Sequence, residues 1–110
     1  MDRHLFAYGT LRPGHAPPEI AEVVRRLRDI GPATIAGRLL DLGAYPGVVP
    51  DPTATNRVDG RLLELPDDPG VLAALDTYEG CDAGLFVRAT TLATRPDGEE
   101  VRCWVYLYVR

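Results

Sequence analysis

Cysteine is scarce in this 110-residue chain: there are two, and Cys81 and Cys103 stand at no spacing that a zinc or cluster site uses. No metal is therefore expected. Met1-Asp2-Arg3-His4 leads straight into an apolar segment, so no export signal is expected and the two thiols read as free rather than paired. No stretch approaches the length of a bilayer span. Excess positive charge is missing too, since 12 Lys+Arg against 16 Asp+Glu leave a formal net charge of -4. That balance argues against nucleic acid and against an anionic membrane surface as partners. A cytoplasmic location follows by default. Repeats, linkers and low-complexity segments are absent as well. A chain of 110 residues, 45% of them hydrophobic, has room for one core, so residues 1–110 are expected to form a single domain.

What is present is a series of short strands with two helical stretches. Ile20, Val23, Val24 and Leu27 recur at helical spacing between Pro17-Pro18 and Gly31-Pro32, which predicts a helix over Glu19–Ile30. Ala33–Leu42 reads as a strand, most buried at Leu39-Leu40. Gly43–Gly47 reads as a turn and Asp51–Asn56 as a polar loop. Arg57–Leu65 reads as a strand with Val58 and Leu62 on one face and Asp59 and Arg61 on the other, and Gly60 within it marks a bulge or a close backbone contact. Leu85–Thr94 and Glu100–Val109 are expected to pair across the turn Arg95-Pro96-Asp97-Gly98-Glu99. In the last strand Val101, Cys103, Val105, Leu107 and Val109 face one way, and Trp104, Tyr106 and Tyr108 the other. Both faces are apolar, as in a curved sheet covered on its outside. Cys103 is thereby a core residue. Cys81 is not read as a nucleophile, because neither His4 nor His15 stands in a recognisable Cys–His context.

Two segments carry chemistry. In Leu5–Gly14 an apolar run (Leu5, Phe6, Ala7, Tyr8) breaks at Gly9-Thr10, a strand ending in a tight turn. Such a turn aims successive N–H groups at an anion or a developing oxyanion, and Gly9 lets a ligand approach the backbone. The second segment is Leu75–Gly80. Asp67 or Asp68 offers an N-cap, Pro69 a first-turn residue and Gly80 a stop, so a helix is expected between them. Val71, Leu72, Leu75 and Tyr78 form its apolar stripe, and Glu79, four residues after Leu75, falls inside it, with Asp76 at the edge. Desolvation and the negative end of the helix dipole would both raise the Glu79 pKa toward neutrality, where a carboxylate accepts and returns protons. The alternative is a last-turn Glu bent out to solvent.

Together the two segments resemble the gamma-glutamylcyclotransferase-like family, most closely its gamma-glutamylamine cyclotransferases. Tyr8-Gly9-Thr10-Leu11 matches the loop that follows the first strand in that family. Leu75-Asp76-Thr77-Tyr78-Glu79-Gly80, with Cys81 after it and Phe86-Val87-Arg88 in the next strand, matches its second signature. The resemblance implies an α+β fold: a small closed or partly closed mixed β-barrel with two packed helices. It implies a cyclotransferase that converts a gamma-glutamyl amine or amide to 5-oxoproline with release of the free amine, without any metal, nucleotide or organic cofactor. Glu79 would be the catalytic general acid/base. Tyr8, Gly9, Thr10 and Leu11 would bind the gamma-glutamyl group, through its α-carboxylate or the oxyanion. Tyr45, in Tyr45-Pro46-Gly47, is assigned to the mouth of the site or to a simple turn. Arg88 is assigned to a substrate carboxylate or to an ion pair with Glu79 or Asp76. Many relatives carry a C-terminal tail that closes the site, and an end at Arg110 would leave it more open. The rival reading is a non-catalytic small-molecule binding module that uses the same cavity.

Overall fold

The computed structural model describes residues 2–8, 16–43, 46–51, 53 and 55–108. In chain order its elements are β1 (His4–Ala7), α1 (Pro18–Val24), β2 (Arg28–Ala36), β3 (Arg38–Asp41), β4 (Pro46–Val49), β5 (Arg57–Glu64), α2 (Pro69–Tyr78), a 3₁₀ turn at Cys81–Ala83, β6 (Phe86–Thr94) and β7 (Glu100–Tyr108). The strands run in the order β1-β5-β2-β6-β7, and β1 pairs in parallel with β7 at Leu5 and Trp104, which closes a five-stranded mixed barrel. β4 extends the sheet by pairing in parallel with β7, and β3 lies outside it as the edge strand.

Alternation along the strands divides the apolar residues between two cores. Phe6, Ile35, Val58, Leu62, Cys103 and Val105 fill the barrel. Their neighbours in the same strands, among them Leu5, Ala7, Leu63 and Tyr106, pack outward against Ile20 and Val24 of α1 and Val71 and Leu75 of α2. The two apolar faces of β7 are thus both buried, one by the barrel and one by the helices. Gly60 is a point of close strand contact. A Cβ there would stand 2.5 Å from the Ala7 carbonyl oxygen and 2.5 Å from the Phe6 ring, so the expected close contact is present.

Three local expectations are corrected. First, α1 stops at Val24, not Ile30. The Arg26 and Leu27 N–H groups bond to Val23 and Val24 at 3.1 and 2.9 Å, which tightens the last turn. Arg28 and Asp29 then enter β2, where they pair across the sheet with Glu64 and Arg61 at 3.1 Å each. Pro32 is tolerated within β2 because β6 joins this strand only at Thr34 and Ile35.

Second, the stretch predicted as one strand over Ala33–Leu42 divides at Gly37, and Leu39 is 55% exposed rather than buried. Among the described residues β3 has β4 alone as a ladder partner, so this apolar residue has a sheet edge for a neighbourhood. Third, Pro46 and Gly47, read as part of a turn, begin β4. Pairing with Asp41 and Leu40 of β3 holds these residues extended, and the next residue, Val48, pairs with both β3 and β7 and is wholly buried.

Candidate active site

α2 brings the carboxylate of interest to a defined place. Asp68 caps its N-terminus, accepting the Gly70 N–H at 2.9 Å, and Pro69 follows in the first turn. Val71 and Leu75 anchor the helix in the outer core. Glu79 is the C-cap, with its N–H on the Leu75 carbonyl at 2.9 Å. Gly80 then adopts the left-handed conformation, φ 75° and ψ 30°, and its carbonyl accepts the Leu85 N–H at 3.2 Å. A Cβ on Gly80 would approach Leu85 Cδ1 to 2.9 Å. The helix stop is therefore tight.

Glu79 is half-buried, and burial lifts its pKa to about 7. Among the described residues no hydrogen bond or ion pair reaches its carboxylate, so nothing there stabilises the charged form. Burial above all raises the pKa of Tyr8 and of Cys81, and the Glu79 charge adds to the rise in each. Tyr8 follows β1 directly. Its hydroxyl donates to the Tyr106 carbonyl at 2.6 Å and accepts the Val48 N–H at 3.3 Å. Burial above all pushes this phenol up to about 12, so it remains a neutral hydrogen-bonding group at physiological pH. Gly9, Thr10, Leu11 and Tyr45 lie outside the described residues.

Arg88 is committed elsewhere. Its Nε and Nη2 reach Asp76 Oδ1 and Oδ2 at 2.8 and 3.2 Å, and its guanidinium lies 4.2 Å from the centroid of the Trp104 ring. Of the partners anticipated from the sequence, Asp76 is the one it takes. The Tyr106 hydroxyl donates to the same Asp76 Oδ1 at 2.7 Å, and burial together with that carboxylate raises the Tyr106 pKa. With Arg88 held on Asp76 and no ion pair from it to Glu79, burial dominates at Glu79 and its pKa is raised. Asp76, read from the sequence as an edge residue and one of the possible partners of Arg88, is the centre of this polar cluster. The one local signal is its position three residues before Glu79. Among the described residues no three His, Cys, Asp or Glu side chains converge as a metal site. No helix among them is long and apolar enough to cross a membrane.

Comparison with known proteins places this arrangement. A sequence profile described as gamma-glutamyl cyclotransferase, AIG2-like, matches residues 5–110. The chain belongs to this family. Solved structures similar to it include an AIG2-like protein from Mus musculus, with a TM-score of 0.79 and 23% identity over 97% of this chain and 77% of that one. Another is a gamma-glutamyl cyclotransferase, with a TM-score of 0.73 and 18% identity over 98% of this chain and 67% of that one. A third, YkqA from Bacillus subtilis, has a TM-score of 0.76 and 23% identity over 98% of this chain, which spans only 36% of that protein. At these identities the structural likeness establishes the shared barrel-and-helices fold. None of the curated proteins matches. Membership of the gamma-glutamyl cyclotransferase, AIG2-like family implies gamma-glutamyl cyclotransferase-type chemistry on a small molecule.

Proposed function

We propose that this protein converts a gamma-glutamyl amine or amide to 5-oxoproline and the free amine, with Glu79 as general acid and base. One observation carries the reading: a half-buried carboxylate, lifted to about 7 by burial and lacking any partner among the described residues, beside the tyrosine that opens the Tyr8–Leu11 segment. A group poised near neutrality both accepts and returns a proton efficiently.

In the reaction, ionised Glu79 accepts a proton from the substrate α-amino group, whose nitrogen attacks the γ-carbonyl carbon of the same molecule. The new C–N bond closes a five-membered lactam. The bond from the γ-carbon to the amine nitrogen breaks, and Glu79 passes the proton to the departing amine. Because nucleophile and electrophile belong to one molecule, folding the substrate and moving the proton are the main tasks. The backbone N–H groups of Gly9, Thr10 and Leu11 hold either the α-carboxylate or the oxyanion, and Tyr45 borders the mouth. Arg88, held on Asp76, fixes the end of α2 in this reading instead of meeting the substrate carboxylate.

The test is release of 5-oxoproline from a panel of gamma-glutamyl amines. Glu79→Gln keeps the shape and removes the proton acceptor, so turnover falls roughly 10²-fold or more while ligand binding persists. Wild-type activity in that variant would exclude Glu79. Binding without product across the whole panel would assign the fold to a non-catalytic ligand carrier.

A further inference from the structure

Tyr106 of β7 holds two different neighbours, one with its main chain and one with its side chain. Its carbonyl accepts the Tyr8 hydroxyl at 2.6 Å, and its own hydroxyl donates to Asp76 Oδ1 at 2.7 Å. Tyr8 packs with the residues that fill the barrel, whereas Tyr106 belongs to the outer core beneath the helices. Two hydrogen bonds, with one residue of β7 between them, therefore run from the end of β1 through the barrel wall to α2.

Each member of this path is held in place by direct contacts. Tyr106 is 3% exposed, and burial keeps its phenol protonated and able to donate. Arg88 stands directly opposite Tyr106 in the β6–β7 ladder, so both side chains lie on one face of the sheet and meet the same carboxylate. The Tyr8 hydroxyl is fixed a second time by the Val48 N–H at 3.3 Å. From Asp76 the constraint passes along the helix backbone. The Glu79 N–H is on the Leu75 carbonyl at 2.9 Å and the Gly80 N–H on the Thr77 carbonyl at 3.1 Å, so the turn that carries Asp76 also carries Glu79.

We infer that Tyr106 is a positioning residue, which sets where the Glu79 end of α2 stands relative to the Tyr8–Leu11 segment. The inference rests on the cyclotransferase reading. In that reading one segment holds the glutamyl group and a remote helix carries the proton, so the reaction depends on their separation. A displacement of about 1 Å between a substrate and its catalytic group can cost roughly 10²-fold in rate. Tyr106 supplies no proton and meets no substrate atom. It acts by gripping both halves of the site from the strand that lies between them.

The test uses the whole 110-residue chain and compares Tyr106→Phe, Tyr8→Phe and the double variant. Tyr106→Phe keeps the ring and the carbonyl and removes the grip on Asp76. Its kcat for 5-oxoproline release should fall roughly tenfold, with KM within about threefold of the wild type. Amide exchange at Glu79 and Gly80 should rise roughly fivefold, as expected for one lost hydrogen bond, with β2 and β5 unchanged. Tyr8→Phe cuts the same path at its other end, so the double variant should lose no more kcat than the worse single one. Val101→Ala, which removes apolar volume elsewhere in β7, controls for lost stability and should leave kcat unchanged. Losses that multiply in the double variant overturn the inference, as does a Tyr106→Phe protein with wild-type kcat and wild-type exchange at Glu79. The two readings separate. Turnover that Tyr106→Phe leaves intact keeps the cyclotransferase and removes the positioning role. A wild type that releases no 5-oxoproline from any gamma-glutamyl amine removes the cyclotransferase, and faster exchange at Glu79 in both single variants then keeps Tyr106 as the link between the two segments.

Discussion

Arg88 grips Asp76 with two nitrogens, at 2.8 and 3.2 Å, and the carboxylate it grips stands one helical turn before Glu79. The pair spans from β6 to α2, and the Tyr106 hydroxyl brings β7 onto the same oxygen at 2.7 Å. Three elements are thereby tied where the candidate active site is built.

Removal of Asp76 should therefore harm folding more than removal of either partner. Asp76→Ala leaves a guanidinium and a phenol unpaired at once, and should cost about 1–3 kcal/mol, between the values for exposed and buried pairs. Tyr106→Phe deletes one hydrogen bond and should cost about 1 kcal/mol. Urea unfolding of the two variants and of Arg88→Met gives the ordering. Equal effects from all three would mean that Asp76 is not the hub of the cluster.

The raised pKa of Glu79 carries a pH signature. Its value in the folded protein is about 7, against 4.5 for a free glutamate. Between these values the native state binds more protons than the unfolded chain, so stability falls as pH rises through this window. The loss above the folded value should be on the order of 2 kcal/mol after allowance for partial solvent screening. Glu79→Gln mimics the protonated form. It should match the wild type at about pH 4 and exceed it at about pH 8. Denaturant midpoints across that range measure the difference, and a constant offset would contradict the assignment.

Gly60→Ala tests strand contact independently of the site. The added methyl meets the Ala7 carbonyl oxygen and the Phe6 ring, both at 2.5 Å. Since β1 is pinned between β5 and β7, it can yield only by disturbing barrel closure. Destabilisation of about 2–3 kcal/mol is expected, read as a drop in thermal midpoint. A neutral outcome would show that β1 has room to shift.

For the Tyr8–Leu11 segment, Gly9→Val should abolish ligand binding, because a branched Cβ blocks approach to the backbone. Thr10→Ala should be milder, since main-chain donors survive it. Ligand affinity and product formation, with folding checked by circular dichroism, rank the two. A more damaging Thr10→Ala would make its hydroxyl the principal contact.

The barrel was legible in the sequence wherever local pattern and tertiary environment agree. The two-faced alternation of β7 announces a sheet with a core on each side, and Asp68, Pro69 and Gly80 delimit α2 by their own backbone chemistry. β4 was illegible for the opposite reason. Pro46 and Gly47 carry turn chemistry, and their extended conformation comes from pairing with Asp41 and Leu40 of β3, in a strand that joins the sheet through Val48 and Leu107 of β7. The overrun of α1 has the same origin, because Arg28 and Asp29 suit a helix until Glu64 and Arg61 are beside them. Leu39 looks like core by composition, yet whether a strand is central or at the edge is a property of the assembled sheet. Glu79 was visible as a carboxylate on an apolar stripe. The Arg88–Asp76 pair was one of the partners anticipated from the sequence, but the Tyr106 hydroxyl on the same carboxylate was not, since Tyr106 lies 30 residues away.

Trp104 is the only tryptophan in the chain. It sits at the seam where β7 meets β1, donates its indole N–H to the Asp2 carbonyl at 3.3 Å and lies beneath the Arg88 guanidinium. The protein therefore contains a built-in optical reporter at the junction of barrel closure and the Arg88–Asp76 pair. Its emission responds to the charge held over the ring and to the dryness of the seam. Ligand entry that pulls on Arg88, or loosening of β1 from β7, becomes visible as a change of intensity or colour in the unlabelled molecule.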